Sequence, residues 1–269
     1  ISGIVGAYNA LLTYGLKSGN YSLKPAYLCN DRLQMEEELS KLKLTSEKIV
    51  ITGRGRVGRG VIDLMKRSML REVSIRDFLE KKFDEPVFVC LETMDYNDRI
   101  DGSHTDKEDF YNHPELYCSS FLKFAEKADI FIAGHYYSPG SPYLFTREDV
   151  KMDNFNIQVV ADISCDVDGP VASTIRDSTI EKPIYGYDRE TEQEVSFKKR
   201  GAIAVMAVSN LPCELPKDAS EHFGSEVLDK ILPLIIYGDK ECVIANATIC
   251  SGGDLTSRFE YLRSYLDGR

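Results

Sequence analysis

The apolar positions of the chain fall into short, nearly continuous runs that are separated by amphipathic or polar stretches. Runs of Val and Ile without polar alternation are typical of parallel strands covered on both faces. The pattern therefore predicts an α/β fold of the Rossmann type, built on a doubly wound parallel sheet. The predicted strands are Lys48–Thr52 and residues 86–90, 129–133, 157–161 and 202–208.

Apolar residues at helical spacing predict the elements around these strands. Ile4, Val5, Leu11 and Leu12, with small residues between them, indicate a buried helix that ends near Gly19. The remaining predictions are helices over residues 34–44, 61–69 and 220–236, strands over 72–76 and 242–249, and a final helix capped by Asp254 that runs to Leu266.

The turn after the first strand has the pattern of a dinucleotide-binding site. Gly53, Gly55 and Gly58 form a G-x-G-x-x-G sequence between a predicted strand and a predicted helix. The first glycine permits the tight turn, the second lets backbone amides approach a pyrophosphate, and the third lets the helix pack closely on the strand. The alternative is a tight βα connection that binds no ligand.

A carboxylate follows the predicted second strand. Asp77 lies 19 residues beyond Gly58 (77 − 58), where an acid would accept hydrogen bonds from the adenine ribose and repel a 2′-phosphate. The spacing favours NAD over NADP as the cofactor. Arg76, its neighbour, weakens this preference because a guanidinium would instead attract a 2′-phosphate.

Composition and charge narrow the classes of partner. The net charge of −10 argues against a nucleic-acid partner, and no apolar run is long enough to cross a bilayer. The seven cysteines are odd in number and form no C-x-x-C pair, which favours a reducing, cytoplasmic location without a disulfide framework or zinc site. We expect a small-molecule partner, and the oligomeric state is not indicated.

Several polar residues have two possible interpretations. The stretch from Thr93 to Tyr117 contains two histidines and several carboxylates without metal-ligand spacing, so no metal site is predicted. Tyr111 and His113 are candidates for the border of a cleft. His135 either reaches the nicotinamide pocket or serves as a hydrogen-bonding loop residue.

Three longer motifs carry a resemblance to a known family. They are V-V-A-D-I-S-C-D-V-D-G-P at 159–170, S-T-I-E-K-P at 178–183 and V-S-N-L-P-C-E-L-P-K-D-A-S at 208–220. These motifs resemble the lysine-forming saccharopine dehydrogenases and the lysine–2-oxoglutarate reductase domain of the bifunctional lysine-degradation enzyme, within the alanine dehydrogenase and transhydrogenase group. Segments 110–117, 136–142 and 255–262 are more similar to the reductase, and the Gly55–Gly58 segment to the dehydrogenase.

The resemblance implies a set of ligand-binding residues. The amino-acid substrate would meet the cofactor at a strand end formed by Ser164, Cys165 and Asp166, where Cys165 is also explained as a small buried thiol. The implied NAD-binding residues, together with the first glycine of the turn, are Gly53, Gly55, Arg56, Val57, Gly58, Asp77, Tyr136, Ile163, Val208, Ser209, Asn210 and Leu211.

The resemblance also implies an activity and a domain organisation. The activity is the NAD-dependent interconversion of saccharopine with L-lysine and 2-oxoglutarate; an alanine dehydrogenase-like activity and a non-catalytic NAD-binding module are the alternatives. Residues 1–45 would be linking helices from an absent N-terminal domain, 46–209 the NAD-binding domain, and 210–269 a C-terminal segment whose helices pack on the missing substrate domain. The family's catalytic lysine and histidine would lie in that missing domain, so we expect the fragment alone to be inactive.

Overall fold

A large, mostly parallel sheet organises the chain, which confirms the predicted α/β class. The computed structural model describes residues 1–138 and 140–268. The strand order is β2-β3-β1-β6-β7-β10-β8-β9, and the first six strands are mutually parallel. The strands are β1 Lys48–Thr52, β2 Arg71–Glu72, β3 Val87–Leu91, β4 Asn97–Arg99, β5 Tyr117–Ser119, β6 Ile130–Ala133, β7 Val159–Asp162, β8 Ile184–Tyr187, β9 Glu194–Val195, β10 Ile203–Met206, β11 Cys250–Ser251 and β12 Asp254–Leu255.

Helices follow most of the parallel strands, and short 3-10 turns supplement them. A π-helical segment, Val227–Ile231, connects two of the helices near the C-terminus. The α-helices are α1 Ser2–Ser18, α2 Arg32–Glu37, α3 Arg56–Arg67, α4 Ile75–Glu80, α5 Lys107–Asn112, α6 Leu122–Ala125, α7 Arg147–Val150, α8 Pro216–Glu226, α9 Leu232–Tyr237, α10 Val243–Ala247 and α11 Arg263–Leu266.

Each central strand is buried on both faces, as its continuous apolar sequence predicted. Ile49 and Ile51 of β1 belong to one hydrophobic cluster, which also contains residues of α1 and α3. Val50 belongs to a second cluster on the opposite face, together with rings such as Phe121 and Phe131. Alternate residues of the strand therefore face two separate hydrophobic layers, as in a doubly wound fold.

Helix α1 is almost fully buried, which confirms the prediction for the first residues. Its buried residues run without a break from Gly3 to Gly15. A Cβ atom on Gly3 would lie 2.0 Å from the carbonyl oxygen of Val57, so only glycine allows α1 to cross α3 at this distance. The helix ends at Gly19, which takes the left-handed conformation with φ 75°.

The prediction of a strand over residues 72–76 is wrong. Strand β2 ends at Glu72, and Ser74 begins helix α4 by accepting a hydrogen bond from the backbone N–H of Asp77. Strand β2 is also the edge strand, since β3 lies between it and β1. The alternating apolar residues Val73 and Ile75 suit either element in so short a stretch, and the Ser74 cap decides for the helix.

Two predictions near the C-terminus are also wrong. Most of the strand predicted over 242–249 is helix α10, Val243–Ala247, because the Asp239 carboxylate accepts hydrogen bonds from the N–H groups of Val243, Ile244 and Ala245. Asp254 lies in strand β12 instead of capping a helix, and its carboxylate bonds Arg263 at 2.6 Å. Helix α11 starts only at Arg263.

Two departures from the predicted elements are smaller. The helix predicted over residues 34–44 is shorter, since α2 ends at Glu37 and a 3-10 turn follows. The sheet is not wholly parallel, because β8 and β9 add an antiparallel edge beside β10. The residues predicted as a helix over 220–236 are helical throughout, in α8, the π-helical segment and α9.

The chain divides into two compact units, Ile1–Lys217 and Asp218–Arg269. The first unit contains the eight-stranded sheet. The second contains α9, α10, α11 and the β11–β12 pair, with exposed apolar side chains such as Phe223 and Ile235. Among the described residues, no helix combines the length and the apolar character needed to cross a membrane.

A buried polar contact joins α1 to the turn after β10. Asn9 in α1 donates a 2.7 Å hydrogen bond to the Glu214 carboxylate, and both side chains are buried. Burial raises the pKa of Glu214 from 4.5 to about 7. The folded protein therefore holds a proton that the unfolded chain releases between these pH values.

We expect Glu214→Gln to change how stability depends on pH. The wild-type protein should lose free energy of unfolding as the pH rises from 4.5 to 7, by roughly 3 kcal/mol, because its folded state is the one that retains the proton. The glutamine still accepts from Asn9 but does not titrate, so its curve should be flatter. Urea unfolding across this pH range, with Glu181→Gln as an exposed control for the lost charge, measures the difference. Equal slopes for wild type and Glu214→Gln would contradict the assignment.

Candidate functional site

The glycine turn brings α3 directly onto the carboxyl end of β1. A Cβ atom on Gly58 would lie 1.7 Å from the carbonyl oxygen of Gly53, so the helix can approach the strand only with glycine at this position. Gly53 has φ 92°, and its N–H donates to Leu91 at the end of β3. The packing and the backbone conformation therefore explain why both positions are glycine.

Gly55 is different because nothing in the protein requires its lack of a side chain. A Cβ atom there would meet no atom within 4 Å, and its φ of −72° is accessible to any residue. Gly55 is the N-cap of α3, whose first turn has no side-chain cap. Bare N–H groups at a helix N-terminus beside open space suit an anion such as a pyrophosphate.

A cleft of about 530 Å³ opens beside this turn, at the carboxyl ends of β1, β6 and β7. This is the edge where open α/β sheets bind their ligands. The lining residues are Gly53, Arg54, Gly55, Arg56, Val57, Thr93, Lys107, Tyr111, Gly134, His135, Tyr136, Tyr137, Ser164 and Asp166.

The cleft brings together about half of the residues that the sequence predicted as ligand-binding. These are Gly53, Gly55, Arg56, Val57, Tyr136, Ser164 and Asp166. Tyr111 and His135, which the sequence left with two interpretations, also line the cleft. Tyr136 is 78% exposed, so its ring is free to contact a ligand. Pro139, inside the 136–142 segment of the resemblance, lies outside the described residues.

The other predicted residues are placed behind the cleft or away from it. Gly58 supports the turn from within α3, and Ile163 packs near Gly6 of α1. Val208 and Leu211 are buried in the α1-side cluster, while Ser209 and Asn210 between them are exposed. These four residues follow the carboxyl end of β10.

A buried carboxylate shapes the strand end that carries Ser164 and Asp166. Asp162 accepts hydrogen bonds from the N–H and hydroxyl of Ser164, the N–H of Cys165 and the hydroxyl of Thr174. Burial raises the pKa of Asp162, and these bonds oppose the rise. Cys165 lies within this network with φ 56°, and its two neighbours, Ser164 and Asp166, line the cleft.

Cys165 itself does not line the cleft. Its thiol lies 3.1 Å from the carbonyl oxygen of Asp162, and the side chain packs on the second hydrophobic cluster. Burial raises the pKa of Cys165 to about 12, and the carboxylates of Asp162 and Asp166 add to the rise. The thiol is therefore protonated near neutral pH and unsuited to act as a nucleophile.

His135 is a neutral side chain within the cleft wall. Its Nδ1 atom is 2.7 Å from the hydroxyl of Thr52, and its Nε2 atom is buried without a hydrogen-bond partner among the described residues. Burial lowers the pKa of His135 to about 4. A buried polar atom without a partner is uncommon in native proteins.

The predicted acid Asp77 lies in the first turn of α4, not at a strand end. Its carboxylate pairs with Lys81 at 3.0 Å, and it is not among the residues that line the cleft. The strand beside β1 on this side is β3, and the acid that follows it is Glu92. The spacing from the glycine turn does not indicate Glu92, because the next strand in the chain, β2, is not the neighbour of β1 in the sheet.

Arg54 is a cationic residue beside the carboxylates of Glu72 and Glu92. Its guanidinium donates to Glu72 at 2.8 Å and to the carbonyl oxygen of Cys90 at 3.0 Å. The carboxylates of Glu72 and Glu92 both help to raise the pKa of Arg54. Two carboxylates therefore offset this guanidinium at the border of the cleft.

Within residues 1–138 and 140–268, no group of three or more His, Cys, Asp or Glu side chains is arranged to hold a metal ion. The seven cysteines are all free thiols.

Known proteins with related sequences have names from lysine metabolism. An alpha-aminoadipic semialdehyde synthase of Arabidopsis thaliana is 26% identical over 79% of this chain and 22% of its own length. The mitochondrial enzyme of that name from Mus musculus is 25% identical over 82% of this chain and 27% of its length. A saccharopine dehydrogenase (NAD(+), L-lysine-forming) of Neurospora crassa is 22% identical over 80% of this chain and 48% of its length.

These relatives confirm the resemblance that the sequence motifs predicted. The chain spans about a quarter of the length of the semialdehyde synthases and about half that of the saccharopine dehydrogenase. An L-alanine dehydrogenase structure matches 99% of this chain and 63% of its own, with a TM-score of 0.51 and 14% identity, which shows a shared fold. No protein-family profile matches the chain.

Proposed function

We propose that this chain, which is related to saccharopine dehydrogenases and alpha-aminoadipic semialdehyde synthases, forms the NAD-binding part of an oxidoreductase of lysine metabolism. The proposed reaction interconverts saccharopine with L-lysine and 2-oxoglutarate. The observation that carries this proposal is the open space at Gly55, above the uncapped first turn of α3. No contact within the described residues requires a glycine there, whereas a pyrophosphate against the backbone would require one.

Different residues of the cleft would contact different parts of the cofactor. In our proposal the N–H groups of Gly55, Arg56 and Val57 hold the pyrophosphate, and the guanidinium of Arg56 adds a positive charge. Tyr136 and His135 border the nicotinamide end, since both follow strand β6 at the same edge. The chemistry that a bound nicotinamide cofactor supplies is hydride transfer.

The exposed pair Ser209 and Asn210 completes the proposed nicotinamide side, and Ile163, Val208 and Leu211 support it from the core. Ser164 and Asp166 are the proposed substrate contacts. Burial, with the nearby Asp162, raises the pKa of Asp166, which helps this group to share a hydrogen bond with an anionic substrate. We assign no catalytic acid or base among the described residues.

Glu92 is the residue we propose for the adenine ribose. It stands one residue beyond β3, whose last residue Leu91 pairs with Thr52 at the start of the glycine turn. An acid at the end of the strand beside β1 accepts hydrogen bonds from ribose hydroxyls. Its charge, with that of Glu72, also offsets Arg54 and disfavours a 2′-phosphate. The free thiols fit a reducing compartment, and we propose a cytoplasmic one.

The glycine turn provides a matched pair of variants for the cofactor proposal. Gly55→Ala should leave thermal stability unchanged but weaken NADH binding at least about tenfold, equal to about 1.4 kcal/mol, because its methyl group fills the space for the pyrophosphate. Gly58→Ala should lower the melting temperature, since its Cβ would overlap the Gly53 carbonyl. Fluorescence titration with NADH and thermal unfolding measure the two effects. Wild-type affinity in folded Gly55→Ala would refute the site.

Glu92 and Asp77 are compared in the same titration. We expect Glu92→Gln to weaken NADH binding several-fold, because the ribose loses a carboxylate acceptor. The preference for NADH over NADPH should also decrease, because only Glu72 then offsets the charge of Arg54. Asp77→Asn, which removes an equal charge from α4, is the control and should change neither affinity. If Asp77→Asn weakens NADH binding and Glu92→Gln does not, the ribose contact is made by Asp77 and the assignment to Glu92 is wrong.

The reaction is tested with the protein that contains this chain. NADH should be oxidised when lysine and 2-oxoglutarate are both present, and NAD reduced with saccharopine, whereas alanine should give no turnover. Each amino acid is measured with and without 2-oxoglutarate as a control. Turnover with alanine alone would favour an alanine dehydrogenase, and NADH binding without turnover on any of these substrates would favour a binding module.

A further inference from the structure

A second cavity, distinct from the cofactor cleft, lies against helix α1. It has a volume of about 390 Å³ and shares no lining residue with the cleft. This volume is within the range of small-molecule sites, which is about 300–1,000 Å³. We call it the α1 cavity, and its apolar walls come from Leu12, Leu16, Ile180, Ile184, Phe197 and Met206.

One buried carboxylate forms part of this apolar wall. Glu214 is 2% exposed, and its one hydrogen bond within the described residues comes from Asn9, at 2.7 Å. The described residues place no Lys or Arg within salt-bridge distance of it. Buried carboxylates are usually paired with a cation, so Glu214 lacks the partner that such a group normally has.

The cations at the mouth of the cavity do not supply this partner. Arg176 makes two hydrogen bonds of 2.7 Å to Glu194, so its guanidinium is already paired at the rim. Lys182 is exposed to solvent beside Glu181. The interior of the α1 cavity therefore has one acidic end, at Glu214 and Asn9, and otherwise apolar sides.

We propose that the α1 cavity binds a small primary amine with an apolar stem, whose ammonium group lies against Glu214 and Asn9. An ammonium group supplies the missing cation and has three donors, which suit the carboxylate and the Asn9 amide oxygen. The alkyl stem replaces water along the Leu and Ile side chains of the walls. This binding site is independent of the proposed oxidoreductase function.

The protonation behaviour of Glu214 agrees with this assignment. Burial raises its pKa to about 7, so the group changes charge easily near neutral pH when a cation approaches. Tyr8 lies close enough to Glu214 that the carboxylate helps to raise the pKa of the Tyr8 hydroxyl. A tyrosine cannot provide the positive charge that Glu214 lacks.

The test titrates the 269-residue chain with n-hexylamine and, separately, with n-hexanol, by isothermal calorimetry at pH 7.5. We expect saturable binding of the amine, at least tenfold weaker binding of the alcohol, and at least tenfold weaker amine binding by Glu214→Gln. The glutamine keeps the shape and the Asn9 contact while removing the charge. Glu115→Gln, which removes an equal charge from an exposed residue outside the cavity lining, is the control and should bind the amine like wild type.

A second variant separates loss of the site from loss of the fold. Ile180→Trp should fill the cavity and prevent amine binding, while circular dichroism and thermal unfolding confirm that each variant is folded. The proposal is overturned if wild type shows no saturable amine binding, if hexanol binds as tightly as hexylamine, or if folded Glu214→Gln binds the amine as tightly as wild type. None of these results depends on NADH binding or turnover.

Discussion

The contact between the backbones of Gly53 and Gly58 fixes the geometry on which the cofactor cleft depends. With no Cβ at Gly58, the first turn of α3 lies directly on the carbonyl of the preceding turn. The same approach leaves the N–H groups of that helical turn facing the carboxyl edge of β1, where β6 and β7 also end. The tight βα connection is thus a structural requirement, and the anion site that we propose would be its consequence.

Helix α1 extends this constraint to the rest of the first unit. It crosses α3 through Gly3 and Gly60, so main-chain contacts hold α3 against α1. Its other end packs on the apolar side chains that border the α1 cavity. One buried helix therefore supports α3 at one end and lines a second cavity at the other, and a shift of α1 would affect both.

The strength of the sequence signals explains how much could be predicted. Continuous Val and Ile runs such as Lys48–Thr52 identified the central strands, and the small and apolar residues of α1 identified a buried helix. An element that is buried on every side consists almost entirely of such residues, so its sequence is easily recognised. Residues 72–76 and 242–249 were misassigned because a single capping group, Ser74 or Asp239, decides the local structure there. The motifs identified the cleft residues near the glycine turn, whereas Lys107 belongs to no motif and enters the cleft only through the fold.

The order of the strands has a further effect on the chemistry of the cleft. A count of residues from the glycine turn locates a ribose-binding acid only if the next strand in sequence is also the next strand in space. Here β2 contributes two residues at the edge, and β3 takes the place beside β1. The carboxylate beside the turn then belongs to Glu92, and Glu72 is left to pair with Arg54. In our proposal Glu92 lies near the ribose and Glu72 offsets the charge of Arg54, and both carboxylates disfavour additional negative charge on the ligand.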